Sequence, residues 1–244
     1  LVAKALRVVA AATGWTITGV VTIHKGIPLA AGLGGGSADA AVALGVGSRV
    51  VAEAGGPALE EQDLWRLARS LGADVPFFLD PRPAIGRGIG DLLEPLELPP
   101  VPGVLVAMTR ELSTAEVFST FEELFGGESA GHFADRAAAL VECWETLSAR
   151  WHGAQLDWDQ MVDLLSRLLI NDLEAASFHL LPELRDVKAA LLAAGAAGAL
   201  MSGSGPAVFG ICRTEAEADH IAQVLQAGGL AARRVQLGGV GSAP

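Results

Sequence analysis

The run PLAAGLGGGSADAA, residues 28–41, constrains this chain more than any other stretch. Gly32, Gly34, Gly35 and Gly36 stand directly before residues of helix-forming composition. Glycine has no Cβ and tolerates positive φ, so such a loop lets the main chain come close to an anion. A helix starting there aims free N–H groups and the positive end of its dipole at the same place. Ser37 is expected at the N-cap, with Ala38, Asp39, Ala40 and Ala41 opening the helix. The physical reading is a cradle for a polyphosphate. The loop lacks the Gly-Lys-Ser/Thr ending of a Walker A sequence. It also fails the dinucleotide fingerprint, because Ser37 occupies the third glycine site. A plain strand-to-helix turn is the competing reading.

The bulk composition fits a globular enzyme. A chain of 244 residues can bury a sizeable core in two domains or one large one. No apolar run has the length of a spanning helix, and no basic-then-apolar leader is visible. Cys143 and Cys212 are too few for a disulfide framework and are expected as buried free thiols in a cytoplasmic protein. A net charge of −11 argues against nucleic acid as a partner. It does not argue against a nucleotide, whose phosphates are neutralised locally. His24, His132, His152, His179 and His220 show no metal-ligand spacing, and no metal site is expected from side chains alone.

Along the chain, helices and strands alternate. Residues 1–12 have helical apolar spacing, and 15–24 (WTITGVVTIH) alternate as a strand should. Helices are expected at 37–54 and 60–70, the second burying Leu64, Leu67 and Ala68. Two short strands fit the Pro- and Gly-rich segment 81–102, with a boundary near 98–103. Then follow a strand at 104–108, a helix at 114–124, and less regular helices to Trp158 whose tryptophans pack in a core. A helix at 182–194, strands at 197–202 and 207–213, a helix at 215–226 and a strand at 231–237 resemble half of a ferredoxin-like sandwich.

Four stretches in order carry a family resemblance: the glycine loop, LGADVPFF (71–78), STAEVF (113–118) with NDLE (171–174), and LMSGSGPAVFGI (200–211). Together they resemble the GHMP kinase superfamily over residues 3–236. The single serine after three glycines, and LGADVPFF, are most similar to the branch acting on diphosphocytidyl-methylerythritol in non-mevalonate isoprenoid synthesis. The resemblance implies an α+β, two-domain GHMP kinase fold. Its N-terminal domain, 1–100, would be of the ribosomal protein S5 domain 2-like type but incomplete. Its C-terminal domain, 101–244, would be ferredoxin-like. It implies ATP with Mg²⁺, a small-molecule alcohol acceptor, no membrane partner, and a monomer or homodimer.

Phosphoryl transfer needs phosphates positioned, charge stabilised and the alcohol oriented or deprotonated. The resemblance assigns ATP binding to Pro28, Leu29, Ala30, Ala31, Gly32, Leu33, Gly34, Gly35, Gly36, Ser37 and Ala38. Asp74 is the implied catalytic carboxylate and acceptor contact; on the residues alone it also fits a turn cap. Ser113, Thr114, Ser202, Gly203 and Ser204 are implied acceptor contacts. Helix capping explains Ser113 and Thr114 equally well, a helix start explains Asn171–Glu174, and Lys25 reads as a solvated charge or a nucleotide neighbour. Tyrosine is absent, so none stacks on cytosine or adenine. Family members begin with a strand bearing a Pro-Ala-Lys-Leu-Asn type motif and its catalytic lysine. This chain begins at Leu1 without a counterpart. The expectation is an N-terminally truncated kinase, aggregation-prone or poorly active as it stands. Another GHMP small-molecule kinase and a non-catalytic nucleotide-binding relative are the alternatives, ahead of a dinucleotide oxidoreductase.

Overall fold

The computed structural model describes residues 1–28, 31–126 and 130–239, with the side chains of 130–132 left aside. The chain divides into two compact units, and residues 31–33 belong with the second.

The first unit is mostly helical. It contains α1 (Val2–Thr13), α2 (Gly35–Glu53), α3 (Glu61–Leu71), a 3-10 turn (Pro76–Leu79) and the hairpin β1 (Ala84–Arg87) with β2 (Leu92–Pro95). Helical spacing puts Val2, Ala5, Leu6 and Val9 on one stripe of α1, and Ala5 and Val9 are buried. They meet the small-residue face of α2 in one cluster with Ala40, Ala41, Leu44 and Val51. Gly47 makes the approach possible, since a Cβ there would lie 3.0 Å from Leu6 Cδ2. Leu67, Ala68 and Leu71 of α3 complete this core together with Val75. Residues 15–24 are not a strand, contrary to their alternation. A ladder needs a partner, and no strand among the described residues pairs with them. Val20 is accordingly 95% exposed.

The second unit is a sheet covered by helices on both faces. Its elements are β3 (Val101–Ala107), α4 (Thr114–Phe125), α5 (Ala130–His152), α6 (Trp158–Arg167), α7 (Glu174–Leu180), α8 (Glu183–Ala193), β4 (Gly198–Met201), β5 (Ala207–Ile211), α9 (Glu215–Ala227) and β6 (Ala232–Leu237). The strands lie in the order β4-β5-β3-β6, each pair antiparallel. Alternation sorts the side chains. Val104 and Val106 join Val208, Leu184, Leu191 and Ile221 in the main core, while Val101 and Ile211 meet Val162 of α6 on the other face. Trp158 packs there too, edge-on to Trp151 at 5.9 Å, with Nε1 donating to Arg213 O at 2.6 Å. Trp158 is a packing residue, as expected, and Trp151 packs against it. Cys212 is buried but Cys143 is exposed, against expectation. Cys143 lines an open groove of about 460 Å³ between α5 and α6 rather than a closed core. No helix among the described residues is long and apolar enough to cross a membrane.

Candidate functional site

The glycine run does two jobs. Leu29 and Ala30 lie outside the described residues; Pro28 is the last described position before them. In the second unit, Ala31 O accepts the Ala207 N–H at 3.2 Å and Gly32 O accepts from Ser202 Oγ at 2.8 Å. Gly32 has φ +69°, and a Cβ there would sit 2.3 Å from Ser202 O and 2.7 Å from Gly205 O. Backbone walls on both sides leave room for glycine alone. Thus the segment 31–33 is pinned to the second glycine turn, and the two motifs that the sequence separates by 170 residues are hydrogen-bonded neighbours.

In the first unit, Gly34 begins the helix. It holds the left-handed conformation at φ +65°, and Ala38 N–H donates to its carbonyl at 2.9 Å. The helix therefore starts at Gly35, not at Ser37, and Ser37 is not its cap. A left-handed glycine makes the turn unaided, so no side chain caps α2. The first N–H groups of an α-helix have no partner within it, and here they remain open to an anion. A Cβ on Gly34 would meet Phe78 Cζ at 2.5 Å, so the LGADVPFF segment packs directly on the loop. Lys25 Nζ pairs with Asp39 Oδ2 at 2.6 Å and lies close to Gly35, bringing one cation beside the start of α2.

Asp74 sits on a short turn leaving α3. Val75 N–H bonds back to Gly72 O at 3.2 Å, and Pro76 opens the 3-10 turn. Val75 and Pro76 are buried, and Phe77 and Phe78 meet edge-to-face at 5.1 Å. These anchors fix the turn and leave the Asp74 carboxylate exposed, with no hydrogen-bond or ion-pair partner among the described residues. The carboxylate thus projects from a turn held by apolar anchors on either side.

The remaining site residues belong to the second unit. Ser113 Oγ accepts the Glu116 N–H at 3.4 Å, which makes it the N-cap of α4. Thr114 Oγ1 instead lies 2.9 Å from Ser204 Oγ, on the glycine turn. Gly203 and Gly205 in that turn have φ +55° and +81°. Sequence reasoning missed what supports it. Asn171 does more than open a helix: its Nδ2 donates to Met201 O and Gly203 O at 2.9 and 2.8 Å. Glu174 Oε1 accepts the Met201 N–H at 3.0 Å, and Lys188 pairs with the same carboxylate. The signal for these residues was the NDLE string itself; the turn they bind is some 30 residues further on.

The chain is similar to known proteins along most of its length. Residues 1–80 match the model of the GHMP kinases N terminal domain, and residues 153–230 that of the GHMP kinases C terminal domain. The 4-diphosphocytidyl-2-C-methyl-D-erythritol kinase of Nitrobacter hamburgensis is 37% identical over 226 residues, 93% of this chain and 70% of the relative. The kinase of the same name from Pelobacter propionicus is 38% identical over 196 residues, 79% of this chain and 60% of the relative. The chain thus spans about three fifths to seven tenths of these relatives' length. Among solved structures, a 4-(cytidine 5'-diphospho)-2C-methyl-D-erythritol kinase superimposes with TM-score 0.70 and 35% identity, over 98% of this chain and 78% of that one. A homoserine kinase from Cytophaga hutchinsonii has TM-score 0.68 at 21% identity, over 98% and 75%, and shares the fold. With both of its halves matched by the family's own domains and relatives this similar along nine tenths of its length, the chain belongs to the GHMP kinases.

Proposed function

We propose that this chain carries the activity of an ATP-dependent kinase that phosphorylates the 2-hydroxyl of 4-diphosphocytidyl-2-C-methyl-D-erythritol, a step of non-mevalonate isoprenoid precursor synthesis. The observation that carries the phosphotransferase reading is the packing of Phe78 on Gly34. It brings the segment bearing a free carboxylate, Asp74, against the glycine that opens an uncapped helix. The choice of acceptor rests on the likeness to relatives of that name.

In this reading, the N–H groups of Gly35, Gly36 and Ser37 bind the donor phosphates, helped by the α2 dipole. Lys25 adds positive charge beside them. Gly32 and Gly34 let the backbone follow the phosphates closely. The Ser37 hydroxyl has no protein partner among the described residues and is free to hold Mg²⁺ or a phosphate oxygen. Mg²⁺ takes few protein ligands and would neutralise phosphate charge when bound. Asp74 accepts or orients the hydroxyl proton as the acceptor oxygen forms its bond to the γ-phosphorus and the bond to ADP breaks. Thr114 and the 202–204 turn are the substrate contacts of the second unit, and Ser113 acts there only through the cap of α4.

An acceptor panel tests this. ADP release is measured with the diphosphocytidyl acceptor, homoserine, mevalonate and galactose. The expected result is turnover with the first alone. Equal or better turnover with another acceptor rejects the substrate. ATP binding without any turnover rejects the activity of this chain.

A further inference from the structure

The glycine turn at 202–206 is held from behind by side chains that none of the chemistry above uses. Asn171 Nδ2 donates to two of its carbonyls, Met201 O at 2.9 Å and Gly203 O at 2.8 Å. Ser177 Oγ, fully buried in α7, donates to a third, Ser204 O, at 3.2 Å. Asn171 is itself fixed, because its Oδ1 accepts the Leu173 N–H at 3.0 Å and so commits its amide hydrogens to the turn. Glu174 holds the Met201 N–H, and Lys188 Nζ balances its charge at 2.6 and 2.8 Å.

A trans peptide plane sends its C=O and the following N–H in opposite directions. Drawing Met201 C=O to Asn171 therefore aims Ser202 N–H away from it, and that N–H meets Ala207 O at 2.9 Å. Drawing Gly203 C=O to Asn171 likewise turns Ser204 N–H away. Ser204 is 8% exposed, and neither its N–H nor that of Gly203 meets an acceptor among the described residues. Gly203 is left-handed at φ +55°, the kind of conformation from which concave N–H nests for anions are built. With no acceptor among the described residues, both N–H groups are free to meet an oxygen from outside the chain.

We propose that Asn171 is a positioning residue that sets this turn as an anion nest for a substrate phosphate, with Ser177 as its second anchor. This rests on the kinase reading above. Either the donor or the diphosphocytidyl acceptor supplies the oxygen, and the test separates them.

Calorimetric titration of the full 244-residue chain compares wild type, Asn171→Asp and Ser177→Ala. The ligands are ATP, adenosine, the diphosphocytidyl acceptor and cytidine. Asn171→Asp keeps the shape but sets a carboxylate against two carbonyls. Two lost hydrogen bonds correspond to a loss of roughly 10- to 100-fold in affinity for the ligand whose phosphate the turn holds. The phosphate-free counterpart binds as before, since no phosphate contact is involved. A loss for ATP but not adenosine assigns the donor; a loss for the acceptor but not cytidine assigns the acceptor. Ser177→Ala repeats the pattern more weakly and decides alone if Asn171→Asp does not fold. Equal losses with and without phosphate, or no loss in a folded variant, overturn the positioning role. Failure of the kinase reading looks different: wild type itself then binds neither ATP nor the acceptor, and the nest falls with it.

Discussion

Replacing Gly34 by alanine separates two costs that the structure places at one atom. The first is conformational. A left-handed residue at φ +65° costs an L-amino acid with a Cβ about 1–2 kcal/mol. The second is contact. The new Cβ would stand 2.5 Å from Phe78 Cζ and 2.7 Å from Cε2, whereas ordinary contact begins at 3.4 Å. The ring must retreat by about 0.9 Å, into a neighbourhood already occupied by Phe77. Overpacking of this kind costs about 1–3 kcal/mol, so Gly34→Ala is expected to destabilise by roughly 2–5 kcal/mol in all. Only the contact part depends on Phe78. Urea denaturation of wild type, Gly34→Ala, Phe78→Ala and the double variant should therefore give a coupling of about 1–3 kcal/mol, with the double variant losing less than the sum of the singles. The conformational part, about 1–2 kcal/mol, should persist in both backgrounds. Additive effects within about 0.5 kcal/mol would refute the packing argument, since neighbours in contact do not add. An unchanged stability in Gly34→Ala alone would refute the left-handed start of α2. ADP release in the same variants then reports whether displacing this glycine displaces the phosphates.

Other expectations follow from single residues. Asp74→Asn should lower kcat by roughly 10²- to 10⁴-fold while leaving ATP affinity in place; turnover within a factor of two of wild type would remove Asp74 from the chemistry. Gly45 lies inside α2 with open space where a Cβ would go, so Gly45→Ala should raise stability by about 0.5–1 kcal/mol in thermal denaturation. In a thiol-labelling time course the exposed Cys143 should react in the native state and the buried Cys212 only after unfolding. Burial, and then the negative charge of Glu217, push the Cys212 thiol up to about 11 from 9.0. Its neutral form is favoured in the fold, so that contribution is complete below pH 9.0 and is lost as the pH climbs to about 11. Denaturation midpoints of Cys212→Ala should fall less steeply than wild type over that window.

What the sequence disclosed was local. The apolar stripes of α1 and α3, a cap at Ser113 or Thr114 and the strands of the second unit follow from periodicity and capping over a few residues. The glycine run was legible as a tight turn into a helix because several glycines so close together permit left-handed backbone, and Gly32 and Gly34 adopt it. The start of α2 was misjudged because a serine in cap position is a strong signal, while a left-handed Gly34 sends none. Residues 15–24 were misread because alternation describes a half-buried ribbon but not whether another strand lies beside it. Asn171 was undervalued because the carbonyls it binds are distant in sequence. Cys143 was misplaced because a thiol's average burial says nothing of a groove between two particular helices.

The position of β3 has a consequence for how the chain is made. Leu105 pairs with Phe209 on one side and Arg233 on the other. Both partners lie about 100 residues or more downstream, and such distant closure is what slows folding. At about 5–20 residues per second of synthesis, β3 leaves the ribosome on the order of 5–20 s before its first neighbour exists. Its valines must spend that interval uncovered or transiently held by helices made in between. The β4–β5 hairpin is local and can form early, and it offers the edge on which β3 closes. The four-stranded sheet is thus assembled backwards, with its oldest strand entering between two of the youngest.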